Sequence, residues 1–410
     1  MIGSSALIFN GTEISSRFSE ERDWLNDTFP RNAHQLSIDF VRCLADQAEY
    51  RERFIRPRKS AKNSQKFQMV THLVQLGMNS SDADLSALCI FYLRDANHQF
   101  AHSVLSVFYA KLLRAQGKTA EVASASADFL SVCKATAAFF TLWMGSVQTR
   151  FPDSVYRKLF QSSTGNMSVK SGAANQVDSF VKSVFRAALE ENSVYSDSDV
   201  VLSKSTWVAK AKNFQWYSKK AVCRFALFTA FDDAAPDLGS GREGLFTNGM
   251  ASSAPFLNCR AWHSSAYEVI EHVATREQPS KIKFPAHFDN SIYPGNYSVV
   301  DRIGNLTLLS VSINSSVYSE WPDKVFFYWS LTQPQSTATG PASTALQASL
   351  GLGSLPPSLS SLTMASSYLA QLAPLAHRGN GGHKWDFNFI EARSEHLCER
   401  IYDKLDSWLR

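Results

Sequence analysis

The stretch Ile303-Gly304-Asn305-Leu306-Thr307-Leu308-Leu309, with Asn314 five residues beyond it, decides how the C-terminal half of this 410-residue chain is read. Leu306, Leu308 and Leu309 read as core positions, and Arg302 to Ser310 as a strand or strand pair opened by a turn at Gly304-Asn305. Upstream, Tyr267-Glu268-Val269-Ile270-Glu271-His272-Val273 reads as another strand, ending 33 residues before Asn305 in a carboxylate-histidine pair. Asn314, nine residues after Asn305, suits the start of a helix, because Asn caps helix N-termini well. Two strands and a helix are thus expected in chain order.

Outside this core the pattern is helical. Leu36–Glu52, Lys66–Met78, Asp84–Gln116, Ala120–Gln148 and Gln176–Glu191 carry apolar residues at helical spacing. Another helix is expected over Thr206–Phe231, followed by a turn-rich segment with Pro236, Gly239, Gly241 and Gly244. Residues 332–382 are low in charge and rich in Ser, Ala, Gly, Leu and Pro, and read as an insertion with one short helix near Met364–His377. Ile390, Leu397, Ile401, Leu405 and Trp408 form one stripe of a closing amphipathic helix. The fold class is therefore α+β and mostly α-helical. A helical domain is expected over 1–205, and a small strand-and-helix core embedded in helices over 206–410.

Composition excludes some classes. Apolar residues at 44% and charged residues at 19% describe a globular chain, not a disordered one. A net charge of +4 permits a nucleic-acid partner without requiring one. Cys43, Cys89, Cys133, Cys223, Cys259 and Cys398 are scattered without a CxxC pair and read as free thiols in a reducing compartment. The N-terminus lacks the basic and apolar regions of a signal peptide, and the apolar stretch 135–147 is too short to span a bilayer. A cytoplasmic protein is expected.

The order of Glu271-His272, Gly304-Asn305-Leu306 and Asn314 resembles that of an HNH (ββα-metal) nuclease. More specifically, the chain resembles the HNH endonuclease domain of GmrSD-type restriction enzymes. Three pieces carry the likeness: Ile270-Glu271-His272-Val273; Ile303 to Leu309 with Asn314-Ser315-Ser316 and Lys324; and the terminal Trp385, Ile390, Arg393, Leu397 and Trp408. Here His272 is followed by Val273-Ala274-Thr275-Arg276, where that family usually continues Ile-Leu-Pro-Gln. The Asp-Gly-Gln-Gln-Arg signature of the ParB-like nucleotidase domain that accompanies such enzymes is absent from this chain.

The resemblance implies a role for each residue. His272 is the general base, since a neutral imidazole near pH 7 can take a proton from water attacking phosphorus. Glu271 and Asn314 are implied as oxygen ligands of Mg²⁺ or Mn²⁺, although adjacent strand residues such as Glu271 and His272 face opposite sides. Asn305 orients His272 through its other ring nitrogen, or pins the loop. Lys324 is a candidate phosphate contact or an exposed surface lysine, Arg302 and Arg276 are weaker candidates of the same kind, and Arg393 folds back toward the site or makes a surface ion pair. DNA is the implied partner, and a ParB-like nucleotidase subunit or other defence-system protein a second.

Arg51 to Lys66 holds seven basic residues against Glu52, so that Arg56, Arg58 and Lys59 are candidates for phosphate backbone binding, or else a solvated loop. Lys204 to Arg224 interleaves six basic residues with Trp207, Phe214, Trp216 and Tyr217; a helix with its aromatics in the core is preferred over base stacking. His98 and His102 stand at i and i+4, but Gln99 occupies the place where a metalloprotease needs Glu, which rules that motif out. The expected activity is metal-dependent DNA cleavage in defence against foreign DNA. The alternatives are a non-cleaving DNA-binding or assembly subunit of the same fold, or an RNase with the same chemistry.

Overall fold

The computed structural model describes residues 2–15, 17–30, 32–55, 62–147, 151–161, 167–168, 177–190, 203–237, 239–248, 256–276, 288, 290–293, 299–311, 321–332, 370–380 and 382–410. Arg56, Arg58, Lys59, Asn314 and most of the insertion expected at 332–382 lie outside them. The chain divides into two compact units, Met1–Leu202 with Leu405–Arg410, and Ser203–Lys404. Within the described residues it is mostly helical with two small sheets, an α+β fold.

The first unit is built from α1 (Ile2–Asn10), α2 (Phe18–Thr28), α3 (His34–Tyr50), α4 (Lys62–Gln75), α5 (Ser80–Asp95), α6 (Gln99–Ala115), α7 (Thr119–Ser146), α8 (Asp153–Gln161) and α9 (Val177–Glu190). The single helix expected over Asp84–Gln116 is two. Asn97 takes φ 56°, a left-handed conformation that Asn tolerates, and the amides of Asn97 and His98 close back on the carbonyls of Arg94 and Leu93. The apolar stretch at 135–147 falls, up to Ser146, in the 28-residue α7, which by length and composition alone could cross a membrane. Its apolar window is 78% buried, and α7 packs against α5, α6 and α9, as a core helix does.

His98 and His102 lie inside this unit. The His98 ring stacks on Phe140 with centroids 4.2 Å apart, and His102 Nδ1 is 2.9 Å from the Tyr50 hydroxyl. Burial lowers both imidazoles to a pKa of about 3, because a charged ring would lose its hydration there.

The second unit contains α10 (Lys204–Ala211), α11 (Lys220–Phe231), β1 (Ala234–Pro236), β2 (Phe246–Asn248), α12 (Cys259–Trp262), β3 (Val269–His272), β4 (Leu306–Leu309), α13 (Trp321–Thr332), α14 (Ala373–Asn380) and α15 (Phe387–Leu409) as far as Lys404. The one helix expected over Thr206–Phe231 is broken between α10 and α11. Trp216 is fully buried and its indole Nε1 donates to the Ala211 carbonyl at 2.9 Å, satisfying the end of α10 and forcing a short turn at Trp216–Ser218. Trp207, Phe214 and Trp216 are core residues, as preferred from sequence, whereas Tyr217 is left half-buried at the turn.

β3 and β4 pair antiparallel in the register Val269↔Leu309, Ile270↔Leu308, Glu271↔Thr307 and His272↔Leu306. The strand expected to begin at Arg302 begins at Leu306, because Ile303–Asn305 forms a 3-10 turn first. All four β4 residues are buried, so this strand is covered on both faces. α15 covers the turn that precedes it, and Gly304 is required there: a Cβ would overlap the Ile390 carbonyl and lie 2.6 Å from the Ser394 nitrogen. The stripe Ile390, Leu397, Ile401, Leu405 and Trp408 is buried as expected. All six cysteines are buried free thiols.

Candidate active site at the β3 end

Because side chains alternate along a strand, Glu271 and His272 leave β3 on opposite sides and meet different neighbours. His272 Nε2 lies 2.9 Å from Asp301 Oδ1. The second oxygen of Asp301 accepts from Arg276 Nη2 at 3.0 Å, and the Asp301 carbonyl accepts from the Tyr217 amide at 3.4 Å. The Tyr217 ring sits 4.3 Å from the imidazole, tilted by 58°. The Arg276 guanidinium and the Lys220 ammonium lie 5.4 and 5.2 Å from the same Tyr217 ring, within cation–π range.

On the other side, Lys324 reaches from the first turn of α13. Its Nζ donates to Glu271 Oε1 at 2.6 Å and to the His272 carbonyl at 2.7 Å. Lys324 is 1% exposed, and burial pushes its ammonium below the usual lysine range against the pull of Glu271. The expectation of a surface lysine contacting phosphate is corrected accordingly: the ammonium is enclosed and already shared between a carboxylate and a carbonyl.

The Asn305 side chain makes no hydrogen bond to His272 among the described residues. Its Nδ2 donates to the carbonyls of Ala274 and Val300, both at 2.9 Å, and its Oδ1 accepts from the Ala274 amide at 2.8 Å and the Trp385 indole at 2.9 Å. The ring-orienting role is thereby overturned in favour of the other reading, a pin that ties the loop after β3 to the turn before β4. The physical reason is capacity, since two donors and one carbonyl oxygen already satisfied by backbone and indole leave nothing to reach the imidazole.

Arg393 does fold inward. Its Nη1 donates to the carbonyls of Gly304 at 2.6 Å and Leu306 at 3.2 Å, and complete burial pushes the guanidinium down to about 9. Arg302 is half-buried over the Phe387 ring at 5.5 Å, and burial lowers its guanidinium too, so it is a packing contact in this structure. Asn314, Arg56, Arg58 and Lys59 lie outside the described residues.

Among the described residues no group of three or more His, Cys, Asp and Glu side chains is placed to hold a metal. The donors expected for a divalent cation fit it in kind. A carboxylate offers about four lone-pair sites, of which Lys324 engages one oxygen of Glu271, and an Asn amide oxygen is a hard ligand. The ammonium 2.6 Å from Glu271 makes the pair neutral, which weakens cation attraction.

Asp301 and Tyr217 were missed from sequence. Asp301 stands four residues before Asn305 and carried no motif signal; a carboxylate shortly before a buried Gly-Asn turn is the feature that would have pointed to it. Tyr217 was read as one aromatic of a continuous helix, and only the break at Trp216 turns it toward His272.

No curated protein matches the chain. Residues 210–400 match the family described as GmrSD restriction endonucleases, C-terminal domain, a span containing β3, β4, α13, α14 and most of α15. That segment, with its histidine at the strand end and its pinned Gly-Asn turn, is similar to the C-terminal domain of the GmrSD restriction endonucleases.

Proposed function

We propose that this protein is a restriction-type DNA endonuclease whose hydrolytic centre lies at the end of β3. The family match over 210–400 supports a nuclease in restriction or defence acting on DNA. The observation that carries the finer reading is His272, fixed by Asp301 at the strand end where the resemblance calls for a general base. In this reading His272 takes a proton from water as the water oxygen bonds to phosphorus. The bond from phosphorus to the 3′ oxygen breaks, and that oxygen collects a proton from solvent. General-base assistance of this kind contributes about 10²–10⁴-fold.

Glu271 and Asn314 are the residues that would hold Mg²⁺ or Mn²⁺. Such an ion, when bound, supplies stabilisation of the negative charge that gathers on the phosphoryl oxygens. Lys324 fixes the Glu271 carboxylate and the His272 backbone together, so that both functional groups share one anchor. Asn305 and Arg393 hold the turn on which Asp301 depends. A nucleotidase or other defence-system partner and a cytoplasmic setting complete the proposal.

The test is cleavage of supercoiled plasmid with Mg²⁺ or Mn²⁺ by wild type, His272→Ala and Asn314→Ala. Loss of cutting in both variants supports the reading. Full activity of His272→Ala refutes the base assignment. Absence of cutting by wild type on modified and unmodified DNA favours the non-cleaving subunit, and preferential cutting of labelled RNA over DNA favours an RNase.

A further inference from the structure

We propose that Asp301 is the positioning residue for His272, holding the imidazole as the Nε2–H tautomer and leaving Nδ1 as the nitrogen with the lone pair. What His272 then does with that lone pair rests on the nuclease reading above; how it is held does not.

Asp301 is 1% exposed, and a carboxylate so enclosed needs donors on its oxygens. Two are present. Arg276 donates to Oδ2 at 3.0 Å, and the partner 2.9 Å from Oδ1 is His272 Nε2. A carboxylate accepts and does not donate, so the imidazole nitrogen facing Oδ1 must carry the hydrogen. Neutral imidazole has one N–H, and fixing it on Nε2 assigns the lone pair to Nδ1. Among the described residues Nδ1 has no hydrogen-bond partner.

The ring is also held in place. Tyr217 packs on the imidazole at 4.3 Å, and the Tyr217 amide bonds to the Asp301 carbonyl, so ring support and carboxylate are joined through one backbone contact. Asp301 is in turn set by its position just before the Ile303–Asn305 turn, whose Asn305 donates to the Val300 carbonyl. A ring bonded at one nitrogen and packed on its face has little freedom to rotate and exchange tautomers. Asn305, the residue expected to fill this role, is instead committed to the backbone of Ala274 and Val300.

The decisive measurement does not need activity. In protein labelled with ¹⁵N-histidine, a two-bond proton–nitrogen correlation spectrum at about pH 8, above the ordinary histidine range, identifies the tautomer of each neutral ring. His272 is assigned by the signal lost in His272→Gln. The Nε2–H pattern in wild type, with its replacement by a mixture in Asp301→Asn, is expected. The neutral amide keeps the volume but can either donate or accept. An Nδ1–H pattern in wild type, or an unchanged Nε2–H pattern in Asp301→Asn, overturns the proposal.

Kinetics give a second readout. Asp301→Asn should lower kcat about 10²–10⁴-fold, the scale of losing a correctly oriented base, with KM within about twofold. Asp301→Glu should restore part of kcat, whereas a purely structural role predicts equal loss in both variants. If wild type proves inactive on every substrate while the spectrum shows the Nε2–H ring, the nuclease reading fails and the positioning of His272 by Asp301 stands.

Discussion

Lys324, itself buried, forms an ion pair with the part-buried Glu271 across the β3–α13 junction, Nζ to Oε1 at 2.6 Å, with the same ammonium on the His272 carbonyl. Removing one partner of such a pair leaves the other charge enclosed, a change that costs about 3–5 kcal/mol. Lys324→Met should therefore lower the denaturation midpoint clearly, whereas the double variant Lys324→Met/Glu271→Leu should recover much of the loss. Chemical denaturation of the single and double variants checks this.

The same pair governs the proposed cation. One unit charge about 4 Å away is worth roughly 1–4 kcal/mol between water and the effective dielectric of a protein surface. With the ammonium gone, the Mn²⁺ concentration that half-saturates cleavage should fall by about tenfold or more, and chelation with EDTA should abolish cutting by wild type. Unchanged cation dependence in Lys324→Met would mean that the ion, if one acts, does not bind at Glu271.

Asn305 makes four hydrogen bonds from a side chain that is fully buried. Asn305→Asp keeps the shape but replaces the two donations to the Ala274 and Val300 carbonyls with repulsion between acceptors. Each buried group left unpaired costs about 1–3 kcal/mol. The expected outcome is a fall in melting temperature, with activity lost in proportion to folded protein. The ¹⁵N spectrum of the folded fraction should retain the wild-type His272 tautomer; a changed tautomer would restore the ring-orienting role that the geometry denies to Asn305.

The parts of the site that were legible in the sequence are those with a local signature. Gly304-Asn305 announced a turn, the leucines after it a buried strand, and the closing helix followed from its stripe. Which polar side chains meet was not legible, because it depends on pairings across the chain. His272 finds Asp301 across 29 positions and Glu271 finds Lys324 across 53. The break between α10 and α11 was hidden for a related reason. The apolar period runs on through Trp216, and only its indole bond to Ala211 shows that the helix has ended. Asn97 split another predicted helix in the same way, since a left-handed Asn carries no signature in the hydrophobic pattern.

Gly304 offers a test of how tightly α15 clamps the turn. A methyl group there meets backbone on α15 rather than a flexible side-chain end, and the Ser394 Oγ that accepts from the Gly304 amide is also in the way. Overpacking a well-filled site typically costs about 1–3 kcal/mol. Gly304→Ala should lose at least that much in an equilibrium denaturation experiment and should weaken amide-exchange protection in β4. A neutral result would mean that α15 lies farther from the turn than this structure places it.

The two buried histidines of the first unit predict an acid response independent of the nuclease centre. His98 and His102 are held near pKa 3 in the folded state by loss of hydration, against about 6.5 unfolded. Below the unfolded value the unfolded chain takes up protons that the folded chain refuses, so stability falls as pH drops. The loss begins near pH 6.5, steepens toward about 1.4 kcal/mol per pH unit for each histidine, and levels off near pH 3. The denaturation midpoint should be flat above pH 7 and decline below it. His102→Gln, which keeps a polar group near Tyr50 but cannot titrate, should remove one histidine's share of that slope, to which the lowered imidazoles of His72 and His396 also contribute. A midpoint independent of pH between 7 and 4 would show that these imidazoles remain accessible to protons in the folded protein.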